Sequence, residues 1–259
     1  VRPSPAGVEL VGASVRWGRG ADAVVALDAL DLLVASGSFV ALVGPSGCGK
    51  STILRVLAGL TAPDEGEARI EGRSVAGEPG AAAWLPQRDA LLPWRSVLDN
   101  ATLGAEVAGV ARSEARVQAL ELLERFDLAD VAHAWPRELS GGMRQRIALL
   151  RTFLAPAPVL LLDEPFGALD ALTRRDLQGW LQQVWLAERS EGRGRTVLLV
   201  THDVEEALLL ADRVVVLSSR PAQIVLDVAV DLPRPRAASV VGEPGFVAQR
   251  AALLAALGA

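Results

Sequence analysis

Cysteine and lysine are almost missing from these 259 residues: each occurs once, as Cys48 and Lys50. A single cysteine excludes an intrachain disulfide and suits a reducing cytosol. Long apolar runs are missing too. The longest uncharged stretch, residues 32–49, is broken by serine, glycine and proline, so no apolar helix of ~20 residues is predicted to cross a membrane. Val1 is not followed by the basic–apolar–small pattern of a secretory signal, and a cytoplasmic location is expected. Positive charge is not in excess: the net charge is −5 and the pI about 5.2, which argues against a nucleic-acid-binding surface. No internal repeat or low-complexity segment stands out.

Apolar residues, by contrast, make up 51% of the chain, and the mean hydropathy is +0.30. A chain of this length buries about 75% of its unfolded surface. One large α/β domain with a subdomain is expected, with some apolar surface kept for a partner.

The lone lysine ends a motif. Gly44-Pro45-Ser46-Gly47-Cys48-Gly49-Lys50-Ser51-Thr52 fits the phosphate-binding pattern G-x-x-x-x-G-K-[ST]. The β-prone run 39–43 enters it and an amphipathic stretch from Ile53 leaves it, the strand–loop–helix setting the motif needs. Gly44, Gly47 and Gly49 are expected to take backbone conformations closed to side chains, turning N–H groups toward an anion. A helix starting near Lys50 adds its positive end. Lys50 supplies a point charge for the β- and γ-phosphates, and Ser51 a hydroxyl for Mg²⁺. An arginine fork is no substitute for a compact ammonium in such a cradle. Cys48 reads as a small loop filler, or else as a thiol whose modification blocks nucleotide binding.

Before this loop, residues 8–11, 13–17 and 29–34 read as short strands of an antiparallel layer. Trp17 opens a Gly-flanked stretch (Trp17-Gly18-Arg19-Gly20), where a ring stacks on a base or packs half-exposed; the residues alone leave both open. After the loop come a turn at 63–66, a strand at 67–70, loops over 72–80 and a weaker strand at 82–86. That strand ends at Gln87, whose amide oxygen is a candidate for Mg²⁺ or water. Leu91-Leu92-Pro93-Trp94 reads as an exposed docking knob ahead of a helix. From Ser113 the period is helical, with Ala115, Ala119, Leu122, Leu123 and Phe126 on one face.

Three further constellations carry chemistry. Leu139-Ser140-Gly141-Gly142 places a serine cap and two glycines at a helix start, a second anion-binding terminus. An ordinary capped helix is the plainer account, but each glycine costs up to ~1 kcal/mol against alanine. With one nucleotide in the first loop, the expected ligand here is another subunit's nucleotide. Val159-Leu160-Leu161-Leu162-Asp163-Glu164 reads as a strand buried on both faces that delivers two carboxylates to its C-terminal end. Asp163 suits a Mg²⁺ shell. Glu164, on the other side of the pleat, suits polarising an attacking water, worth ~10²–10⁴-fold in rate. A second buried strand, 196–201, ends at His202, which could hydrogen-bond a γ-phosphate. Asp203 and Glu206 form a D-x-x-E capping pattern. His133 is read as structural.

Taken in order, the phosphate loop, Gln87, Leu139-Ser140-Gly141-Gly142, Asp163-Glu164, Ala168-Leu169-Asp170 and His202 resemble the nucleotide-binding subunit of an ABC transporter over nearly the whole chain. The resemblance implies a RecA-like P-loop NTPase core with an antiparallel β subdomain and an inserted helical subdomain. The core would take residues 1–87 and 156–220, the helical subdomain 88–155, and a packing tail 221–259. It implies two chains closing head to tail on two ATP molecules with Mg²⁺. Ser140 and Gly142, with Gly141 between them, would reach the γ-phosphate held by the other chain, and Trp17 would stack on adenine. Glu164, His202, Gln87 and Lys50 would act in hydrolysis; Ser51, Gln87 and Asp163 would surround the metal. The implied partners are a second copy, transmembrane permease subunits at the cytoplasmic face and, through them, a solute-binding protein, with no nucleic acid.

Residues 89–95, 139–146 and 165–170 resemble importers of nitrate, aliphatic sulfonates and taurine. Leu85-Pro86, where these often have Val-Phe, and Leu150 and Thr152, in place of small residues, depart from that pattern. A soluble ABC-type ATPase acting on nucleic acid or the ribosome is the competing reading, and the acidic charge opposes it. A dimerisation module without turnover is a third, opposed by the intact Glu164 and His202.

Overall fold

The structure, a computed structural model, describes residues 6–18, 20, 23–192 and 194–258. Arg19 of the Trp17-to-Gly20 stretch lies outside them. Two sheets organise the chain. The first is antiparallel, in the order β2-β1-β4-β5, from β1 (Ala6–Trp17), β2 (Val24–Ala35), β4 (Glu65–Ile70) and β5 (Arg73–Ser74). The second runs β10-β9-β3-β8-β7-β6, from β3 (Phe39–Val43), β6 (Ala83–Leu85), β7 (Val159–Asp163), β8 (Thr196–Thr201), β9 (Arg213–Leu217) and β10 (Ile224–Ala229). All its neighbours pair in parallel except β9 and β10.

Sequence periodicity predicts the buried strands closely, because β3, β7 and β8 are apolar on both faces and buried throughout. The first layer differs. The expected strands at 8–11 and 13–17 are one continuous strand, β1, which carries register shifts around Gly12 instead of a break. Its φ of +56° there is open to glycine. The 72–80 segment, expected as loop, contributes β5.

Between β6 and β7 the chain is helical: α2 (Val97–Ala101), α3 (Leu103–Val107), α4 (Arg112–Arg125) and α5 (Gly141–Leu154). The predicted face of α4 is buried at Ala115, Ala119 and Leu123. The remaining helices are α1 (Lys50–Leu57), α6 (Ala171–Ser190), α7 (Val204–Leu210) and α8 (Pro244–Leu257).

The C-terminal segment packs on the core. Its strand β10 pairs with β9, so one hairpin spans residue 220 and finishes the core sheet. Arg236 then plugs into the core, donating to the carbonyls of Leu208, Ala211 and Leu232 at 2.9, 2.5 and 3.0 Å. Burial pulls its pKa down to about 10, yet it stays charged at neutral pH.

The helical segment is fastened to the core by rings. Trp180 on α6 meets Phe126 after α4 and Phe153 on α5 edge-on, at centroid distances of 4.6 and 4.7 Å. Its indole N–H is buried without a hydrogen-bond partner, so its value is packing alone. Trp180→Ala is expected to cost ~3–5 kcal/mol, and Trp180→Phe far less. Urea unfolding of the two variants reads the difference; equal losses would mean the indole nitrogen matters.

Candidate functional site

The phosphate loop joins β3 to α1. Gly47 and Gly49 have φ of +74° and +124°, the region side chains avoid, as predicted. Gly44 is a correction: its φ is not in that region, and its constraint is space. A Cβ there would sit 3.0 Å from the Leu217 carbonyl oxygen and 3.1 Å from Cys48 Sγ. Cys48 itself is buried (1% exposed) and packed in the apolar core, which fits the filler role. Pro45, Ser46 and Gly47 are exposed at the tip. Lys50 folds back into the loop, its Nζ donating to the carbonyls of Gly44 at 2.7 Å and Pro45 at 2.9 Å.

One cleft of about 260 Å³ is lined by this loop, including Ser51 and Thr52, together with Trp17, Gln87, Glu164 and Arg220. Trp17 stands 40% exposed at its rim, with the Arg55 guanidinium 5.7 Å from its ring centroid. Arg220 was not picked out in the sequence. It sits in the β9–β10 turn, and the backbone N–H of Ala222, two residues on, donates to the Ala26 carbonyl at 3.2 Å beside Gly49.

Parallel pairing brings Asp163, Glu164 and His202 to the same edge. Asp163 is buried (3% exposed) at the end of β7. Burial pushes its pKa up, the nearby Ser51 hydroxyl and Lys50 oppose the shift, and Glu164 adds to it. Glu164 departs from the expected pleat geometry. The strand stops at Asp163, and Glu164 takes a left-handed φ of +49°, its N–H still donating to the Val200 carbonyl at 2.9 Å. That turn aims its carboxylate at two partners. Gln87 Nε2 donates to Oε2 at 3.1 Å, and His202 Nδ1 lies 3.3 Å from Oε1. Gln87 therefore meets Glu164 through its amide nitrogen, which leaves the amide oxygen for another ligand. Left-handed backbone in a non-glycine residue stores strain of ~1–3 kcal/mol, the kind that collects at functional sites.

Ser140 caps α5, its side chain accepting the Met143 N–H at 3.2 Å. Ser140 and Gly141 are exposed and Gly142 partly so. A Cβ on Gly141 would meet only the Arg144 guanidinium at 3.9 Å, and one on Gly142 ordinary contacts at 3.6 Å and beyond. Packing within one chain does not demand these glycines. The helix is tied to both sides of the first cleft: Arg144 Nε pairs with Asp89 at 2.9 Å, and Gln145 Nε2 donates to the Pro165 carbonyl at 3.1 Å.

Asp203 caps α7 as predicted, accepting from the N–H groups of Glu205 and Glu206. Glu206 does not complete the expected capping box. Its carboxyl is buried and accepts from Gln178 Nε2 at 3.0 Å. The docking knob is half correct. Trp94 is 70% exposed, but Leu91 is buried, and buried Asn100 shapes the loop through the main chain of Leu92, Arg95 and Ser96. His133 is exposed in a turn away from the cleft.

A family model described as "ABC transporter" matches residues 27–167. An aliphatic sulfonates import ATP-binding protein of Delftia acidovorans is 50% identical over 232 residues, 90% of this chain and 88% of that one. A taurine import ATP-binding protein of Pseudomonas aeruginosa is 43% identical over 230 residues, 87% and 86% of the two chains. Among solved structures, a dimeric ATP-binding cassette in a post-hydrolysis state bound to ADP and Pi superposes with a TM-score of 0.76. It is 28% identical and covers 87% of this chain and 100% of that one.

Two outcomes follow from the geometry. Buried Cys48 is expected to resist a maleimide in the native protein and to react fully once unfolded, read by mass spectrometry; rapid native labelling would contradict its burial. The Glu206 carboxyl titrates at about 7 in the folded chain, mainly through burial, against 4.5 for the free group. The folded state thus holds a proton that the unfolded state releases between those values. Its contribution to stability is full below the lower value and lost as pH rises through the upper one, a swing of up to ~3 kcal/mol. Glu206→Gln should flatten that part of the stability–pH curve from urea unfolding.

Proposed function

The chain belongs to the ABC transporter family, and from that premise we propose that it is the ATP-hydrolysing subunit of an importer. It would drive a small solute of the sulfonate or taurine kind through separate permease subunits. The observation that carries the reading is the meeting of Glu164 with both Gln87 and His202 at the mouth of an intact phosphate loop. A binding module without turnover has no use for a strained carboxylate aimed at a neutral amide and an imidazole.

The loop N–H groups and the start of α1 hold the triphosphate, and Trp17 offers its ring to the base. Lys50, now paired to two main-chain carbonyls, turns its remaining valence to the phosphates. Glu164 accepts the proton of the attacking water, and His202 hydrogen-bonds the γ-phosphate. Asp163, Ser51 and the free oxygen of Gln87 are hard oxygen donors that fit Mg²⁺. Among the described residues no cluster of three or more His, Cys, Asp or Glu could hold a metal by itself. When bound, Mg²⁺ neutralises charge on the β- and γ-phosphates.

Ser140 and Gly142 lie open and unexplained within one chain, which supports closure of a second copy over the nucleotide, head to tail. Permease subunits at the cytoplasmic face of the membrane, with a solute-binding protein beyond them, are the remaining partners. Among the described residues no helix is long and apolar enough to cross a membrane. Trp94 and the loop built by Asn100 are the contact offered to the permease, and residues 88–155 move as the subdomain that carries it. The solute class rests on the relatives' names and on the motifs at 89–95 and 165–170.

Glu164→Gln is expected to lower kcat by ~10²-fold or more while keeping ATP affinity, and to accumulate an ATP-bound dimer on size exclusion. Lys50→Ala should abolish nucleotide binding. A Glu164→Gln protein that hydrolyses ATP at the parental rate would refute the assignment.

A further inference from the structure

A cation that lines the nucleotide cleft has no role in the reading above. Arg220 is exposed in the turn between β9 and β10 and makes no hydrogen bond or ion pair with any described residue. The other charged side chains at the cleft are engaged: Lys50 with the carbonyls of Gly44 and Pro45, and Glu164 with Gln87 and His202. A guanidinium on a surface turn is ordinarily a solvated charge. Here the turn that carries it is built into the phosphate site.

The turn is fixed first within itself. The Ser218 N–H donates to the Gln223 carbonyl at 2.8 Å, and Ser218 Oγ accepts the Gln223 N–H at 3.1 Å. Buried Ala222 then docks it on β2, donating its N–H to the Ala26 carbonyl at 3.2 Å and bridging to Leu27. That junction presses on the phosphate loop. A Cβ on Gly49 would lie 2.9 Å from the same Ala26 carbonyl oxygen and 3.3 Å from the Ala222 Cβ. Gly49 is thus required by its φ and by the turn packed behind it, and the turn forms a wall of the loop.

Strand β2 also fixes the side on which Arg220 stands. Trp17 pairs with Val24, and Ala26, where the turn docks, is two residues further on, about 7 Å at the rise of a strand. The turn therefore lies between the Trp17 rim and the phosphate loop, and Arg220 reaches the cleft that both of them line. With a base on Trp17 and the β- and γ-phosphates in the loop, the part of the nucleotide between them is the sugar with its α-phosphate. A guanidinium is a planar fork of donors with a fixed charge, and its match is the phosphate.

We propose that Arg220 is a nucleotide-binding residue that pairs with the α-phosphate. The inference rests on the reading of this cleft as the nucleotide site with the base at Trp17. ATP and ADP share that phosphate, so the contact holds substrate and product alike and leaves their discrimination to the groups around the γ-phosphate.

The test is calorimetric titration of the full chain with ADP and with a non-hydrolysable ATP analogue, each with Mg²⁺, for the parent, Arg220→Gln and Arg220→Lys. Arg220→Gln is expected to weaken both ligands by the same factor, about tenfold, the size of one lost charge-assisted contact. Raising the salt from about 0.05 M to about 0.5 M should narrow the gap between parent and Arg220→Gln, because the partner is charged. Arg220→Lys, which keeps the charge and loses the fork, should fall between them. Urea unfolding without nucleotide should give both variants the parental midpoint, which separates lost binding from lost fold; a lowered midpoint would make Arg220 a structural residue and overturn the proposal. Parental affinity in Arg220→Gln, a loss confined to the ATP analogue, or a loss equal at both salt concentrations overturns this inference alone. A parent that binds neither ligand overturns the nucleotide reading and this inference with it.

Discussion

The parallel pairing of β7, β8 and β3 is the constraint from which the site follows. Val43 lies opposite Thr201, and Asp163 opposite Val200. Three strands ending level with one another put their next residues on one edge, whatever the loops between them do. The phosphate loop lies more than a hundred residues before the acidic pair, and His202 follows that pair at a distance in the chain, yet they arrive together because hydrogen-bond registers add up. Apolar residues on both faces hold those registers, since a slip of one residue would unpack two layers at once.

Electrostatics at that edge is decided by depth. Asp163 is inside the sheet, where burial resists its charge, and Glu164, one residue on, is at the mouth and partly solvated. The left-handed turn at Glu164 separates their surroundings, so one is suited to a cation and the other to a water.

Much of this was legible in the residues. The phosphate loop, the capped helix at Ser140, the buried strands at 159–163 and 196–201 and the face of α4 all rest on local patterns. Most of what escaped depends on partners far along the chain. A period of two puts Asp163 and Glu164 on opposite faces but cannot reveal that Glu164 leaves the strand. Gly44 is set by the crowding of Leu217, Arg220 by a hairpin that straddles an assumed boundary, and Glu206 by Gln178 on another helix. The D-x-x-E spacing at 203–206 matched a capping box, and burial of the glutamate overrode it: a carboxyl turned inward cannot also reach back to the surface end of its helix. One signal was available, since Glu206 falls on the same face of α7 as apolar Leu210, with Ala207 beside it.

The joint at Trp180 sets how the helical segment can move. Ring edges meeting ring faces are held by dispersion, which changes gradually as one ring slides across another, whereas a hydrogen bond is lost within a fraction of an ångström. An indole whose N–H has no partner adds no directional catch. Where the rings meet, the junction between α6 and the segment of α4 and α5 is strong against pulling apart and permissive toward small tilts. Tilting is limited instead by directed bonds around that joint: Arg144 and Gln145 to Asp89 and Pro165 beside the cleft, Arg125 of α4 to Gln183 of α6, and Arg195 to the Phe153 carbonyl.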